Sequence, residues 1–126
     1  MLKWIYQRKQ TDCGVAAVAM LCDATYDEAK AAIFGDGRVG ITSSGELLAA
    51  IREFGGRPLS ERCIAVADTH LPDLENHALL KGKLLCEESE PVHWAAWDCQ
   101  AQAIRDPYGF DYPFKVTHFV EIAWDE

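Results

Sequence analysis

The sequence predicts an α+β fold, with N-terminal helices packed on a C-terminal antiparallel sheet. Two observations lead there. Capping signals and helical apolar spacing fill the stretch before Pro58, whereas short apolar runs separated by turn-like or charged segments fill the stretch after it. A chain of 126 residues is long enough for one substantial core and too short for two, so a single domain over 1–126 is expected.

The first helix is predicted from Cys13 to Cys22, capped by Thr11 or Asp12. Its Val15-Ala16-Ala17-Val18-Ala19-Met20-Leu21 run is apolar nearly all round, which marks a central buried helix. Thr25 and Glu28 form a capping box for a second helix that ends near Phe34, with Gly35 as its stop. Ser43 and Glu46 open a third, in which Leu47, Ile51 and Phe54 recur at helical spacing before Gly55-Gly56. Strands are expected at 63–66, 78–80, 92–97 and 102–104, with 98–101 as a hairpin loop between the last two. The tail at 117–124 fits a last strand or a short helix, and helix is the expectation taken here.

Composition narrows the function. No apolar run approaches the ~20 residues that span a bilayer, and the first residues lack the apolar stretch of a secretory signal. The formal net charge of −8 argues against a nucleic-acid-binding surface and is compatible with a basic peptide or partner. Five scattered cysteines, an odd number without a Cys-x-x-Cys pair, fit reduced thiols in a cytoplasm. They also lack the local ligand spacing of a zinc site, so neither a metal nor an organic cofactor is expected.

The chemistry-bearing residues begin with Cys13. A thiol at the first turn of a helix feels the positive end of the macrodipole, which favours thiolate, and Gly14 is expected to leave open space beside it. Further on, His93 is followed by a carboxylate at Asp106, so cysteine, histidine and acid occur in the order of an activated-thiol hydrolase. His118 competes with His93, but no acid follows it at hairpin distance apart from Asp125 and Glu126 at the chain end. His70 and His77 flank a charged loop and read as surface residues. Cys22, Cys63, Cys86 and Cys99 read as small buried hydrophobes, and Trp94 and Trp97 as core. On its own, Asp106-Pro107 reads as a turn. An oxyanion would need a side-chain amide donor, and Gln7 or Gln10 would serve. Asp12, beside the thiol, opposes thiolate formation unless it acts as a cap.

Gln7 with Asp12-Cys13-Gly14-x-Ala16-Ala17, then His93-Trp94, the apolar strand after it and Asp106-Pro107, resembles the signature of the C39 peptidases. These are papain-like cysteine proteases that process bacteriocin leaders. The resemblance implies a papain-like fold and a triad of nucleophile Cys13, base Cys-partner His93 and orienting acid Asp106. It also selects Gln7 as the oxyanion donor and implies a peptide or protein substrate. Many relatives head a membrane transporter, but this sequence carries neither membrane spans nor a phosphate-binding glycine loop and is expected to act alone, in a bacterial cytoplasm. Two other classes stay open: a catalytically silent peptide-binding domain, and a thiol-dependent acyl transferase or amidase on a non-peptide substrate.

Overall fold

A computed structural model describes residues 2–6, 13–35, 43–66, 71–84, 92–107 and 114–124. Three helices come first: α1 (Cys13–Leu21), α2 (Tyr26–Phe34) and α3 (Ser44–Glu53). Both predicted capping boxes form. The Thr25 and Ser43 hydroxyls accept the N–H groups of Glu28 and Glu46, whose carboxylates reach back to the capping residues' own N–H groups. Gly35 ends α2 at φ +68, a conformation that glycine adopts without a Cβ penalty.

Six strands follow: β1 (Gly56–Pro58), β2 (Ile64–Ala65), β3 (Ala78–Leu84), β4 (His93–Asp98), β5 (Ala103–Arg105) and β6 (Phe114–Trp124). Every pairing is antiparallel, and the order across the sheet is β1-β6-β3-β4-β5, with β2 sharing the β1 edge of β6. The fold is therefore α+β, three N-terminal helices packed on a six-stranded antiparallel sheet.

The tail corrects the helical expectation. Residues 117–124 belong to β6, the longest strand, which pairs with β3 on one side and with β1 and β2 on the other. Phe119 packs on one face of the sheet while Val120 and Ile122 pack on the other, so the run is apolar on both sides and lacks a clean alternation. Strand β1 was not foreseen either, since its three residues include a glycine and a proline.

All nine residues of α1 are buried, as its all-round apolar sequence requires. It packs on β4 and β3 and between α2 and α3. Leu79, Trp94, Ala96, Val120 and Ile122 meet the helices from the sheet. On the opposite face Ala78, Leu80, Ala95, Trp97 and Phe119 form a smaller core, with Val66, Leu71 and Leu74 packed against it. Strand β4 is thus buried on both faces, and its two tryptophans are core residues of opposite faces. No helix among the described residues is long and apolar enough to cross a membrane.

Candidate active site

The helix that begins at Cys13 and the strand that begins at His93 bring those two residues to one end of the α1–β4 contact. Strand β5 pairs only with Ala96, Trp97 and Asp98 of β4. Beyond that ladder the Trp94 N–H donates to Cys13 Sγ at 3.4 Å. Asp106 follows the last residue of β5 and returns alongside the start of β4, so the tight hairpin delivers the acid to the histidine.

His93 Nε2 lies 2.7 Å from Asp106 Oδ1, and Cys13 is near enough to the imidazole to act on its protonation. With Nε2 engaged by the carboxylate, Nδ1 is the nitrogen that remains to exchange a proton with sulfur. Burial by itself would lower the His93 pKa. The hydrogen bond with Asp106, the nearness of Cys13 and the negative charge on both outweigh it and raise the value to about 9. Phe114 stands edge-on to the imidazole, with ring centroids 5.2 Å apart. It reaches this place because β3 and β6 shift register between Lys81 and Gly82, and a Cβ on Gly82 would meet both the Phe114 ring and the Lys115 carbonyl.

The trio is enclosed: Cys13 is 3% exposed, His93 0% and Asp106 8%. Gly14, expected to leave open space beside the sulfur, is itself buried. Gln7, Gln10, Thr11, Asp12, His70 and Cys86 lie outside the described residues. His118 is separated from the site by β3, because Lys81 pairs with Trp94 on one side and with His118 on the other; its ring bonds Thr117 Oγ1 at 2.9 Å.

Two other expectations change. His77 is half-buried rather than on the surface: its Nδ1 accepts the Cys99 N–H at 3.1 Å and sits 3.7 Å from Asp98 Oδ1. Burial is the largest influence and lowers its pKa. Cys22, Cys63 and Cys99 are half-buried free thiols, not fully buried ones. Burial pushes Cys22 up to about 12 and raises Cys63 and Cys99 as well.

Asp98, expected in the hairpin loop, does more than turn the chain. It is fully buried, and it accepts the Gln100 and Ala101 N–H groups at 3.0 Å, which shapes the turn, and the Leu2 N–H at 2.8 Å. Burial pushes its pKa up, but these backbone donors prevail and lower it. Among the described residues no group of three His, Cys, Asp or Glu side chains is placed to hold a metal ion. No protein-family model matches the chain, and no curated protein sequence matches it.

Proposed function

We propose that this protein is a small cysteine hydrolase of the papain-like, C39-like kind, acting on a peptide or isopeptide bond. The observation that carries the reading is the continuous connection from the Cys13 sulfur through His93 to Asp106, closed by the 2.7 Å contact at Nε2. In this mechanism Asp106 fixes the imidazole tautomer and stabilises the imidazolium, while Nδ1 takes the Cys13 proton. The helix N-terminus and the Trp94 N–H both stabilise negative charge on sulfur. Sulfur attacks the carbonyl carbon, His93 returns the proton to the departing amine, and the amine leaves a thioester. Water, deprotonated by His93, then attacks the thioester and releases the carboxylic acid and free Cys13. Gln7 is assigned to the oxyanion by the sequence resemblance, and no step calls for a metal or organic cofactor. The free thiols fit a reducing, cytoplasmic setting; the partner is a peptide or protein rather than nucleic acid or membrane.

The test is cleavage of a diverse peptide library by the intact chain, read by mass spectrometry against Cys13→Ala. New termini that depend on Cys13 support the hydrolase. No Cys13-dependent product, together with no modification of Cys13 by iodoacetamide, sinks it. One observation favours a second reading, a peptide-binding domain without turnover: Cys13 is almost wholly buried. Saturable peptide binding that persists in Cys13→Ala, with no cleavage by the parent chain, would establish that reading.

A further inference from the structure

Residues 2–6 form no helix or strand, yet they are fastened to the β4–β5 hairpin. At one end the Leu2 N–H donates to the buried Asp98 carboxylate. Two residues on, Trp4 Nε1–H donates at 2.8 Å to the main-chain carbonyl of Asp106, the residue whose side chain holds His93. The indole is itself confined: the Arg105 guanidinium lies over it with Cζ 5.1 Å from the ring centroid, and Tyr6 stacks on it at 5.9 Å and 17°. Arg105 Nε in turn sits 3.6 Å from Asp98 Oδ2.

The position of that hydrogen bond matters. The ladder of β5 with β4 stops at Arg105, and Asp106 stands one residue beyond it in a single β-bridge, a shorter pairing than a ladder. The direction of an aspartate side chain is set by its Cα, and the Cα is set by the adjoining peptide planes. A donor on the Asp106 carbonyl therefore restrains the Cα–Cβ direction from which the carboxylate reaches His93, without touching the carboxylate.

We propose that Trp4 is a positioning residue of the triad, its indole N–H holding the Asp106 main chain so that the carboxylate stays on His93 Nε2. The catalytic consequence rests on the hydrolase reading; the effect on the imidazole does not. Among the described residues, Cys13 from α1 and Asp106 beyond β5 are titratable groups that face His93. Gly82 of β3 and Phe114 of β6 also adjoin it and do not titrate, and Lys81 of β3 lies over Trp94 instead.

The experiment is a nuclear magnetic resonance titration of the His93 ring in the intact chain and in Trp4→Phe, which keeps an aromatic ring for the stack and deletes the N–H. The His93 pKa is expected to fall by about half to one unit, the size of one hydrogen bond's contribution. Tyr6→Leu, which leaves the N–H in place, is expected to leave the titration unchanged. An unchanged His93 titration in Trp4→Phe, with only a lower melting temperature, overturns the proposal and leaves Trp4 a structural tether. If Trp4→Phe does not fold, benzothienylalanine at position 4 supplies the same test with an isosteric ring that lacks the N–H. With a cleavable peptide, Trp4→Phe is expected to lower kcat about tenfold at constant KM, and a KM effect alone counts against positioning. Absence of turnover by the parent chain breaks the hydrolase reading, while the titration still decides the role of Trp4.

Discussion

A Cys-His-Asp trio stands at each end of strand β4, and the two are joined differently. At its start, Cys13, His93 and Asp106 connect side chain to side chain. At its finish, His77, Asp98 and Cys99 cluster mainly through the backbone: the Cys99 N–H, not its thiol, meets His77, and Asp98 commits its oxygens to the N–H groups of Leu2, Gln100 and Ala101. The opposite outcomes follow. His93 is pushed up to about 9, whereas His77 is lowered, chiefly by burial. Residue types are the same in the two trios, but the histidine–carboxylate distance is 2.7 Å in the first and 3.7 Å in the second. What separates them is where each carboxylate's lone pairs are used.

The largest expected contrast is in turnover. Cys13→Ala or His93→Ala is expected to abolish peptide cleavage, a loss of about 10⁴-fold or more. Cys99→Ala and His77→Gln are expected to retain it within about tenfold. Kinetics on a peptide identified from the library decides this, and a dead Cys99→Ala would merge the two trios.

Stability should rank the acids the other way. Asp98→Ala strips the acceptor from three backbone donors and is expected to cost about 3 kcal/mol in urea unfolding. Asp106→Asn keeps the shape of the side chain and should cost about 1 kcal/mol while returning His93 towards its ordinary pKa. Equal losses would show that Asp106 is as structural as Asp98.

The histidines also predict opposite pH slopes. His93 has a raised folded-state pKa, so its contribution is complete below about 6.5 and is lost as pH rises through about 9. A shift of that size is worth on the order of 3 kcal/mol at most. His77 has a lowered folded-state pKa, so its contribution is present above about 6.5 and is lost as pH falls below that. Stability from these two groups should therefore peak near pH 6.5. His93→Gln should flatten the alkaline side and His77→Gln the acidic side. Melting curves across pH measure both, and an alkaline slope that survives in His93→Gln would remove its basis.

How far the sequence revealed this arrangement varies by element. Thr25 with Glu28 and Ser43 with Glu46 announced two helices because caps are local chemistry. Cys13, His93 and Asp106 could be read in order, and the structure brings them together. The β6 tail was not legible as a strand, since a strand covered on both faces shows no two-residue alternation. The burial and pairing of His77 and Asp98 were not legible, because their partners come from β4, the following turn and residues 2–6, and no spacing encodes such a meeting. Trp4 carried no signal beyond its size.

The near-complete burial of Cys13, at 3% exposure, has a consequence for probe design. Reagent bulk, rather than intrinsic electrophilicity, should govern how fast this thiol is captured. A ladder of electrophiles matched in reactivity and graded in width, from methyl methanethiosulfonate to a biotinylated peptide warhead, would report the aperture in ångströms. Screens built on wide warheads alone would pass over the protein, and a narrow first probe is the one to choose.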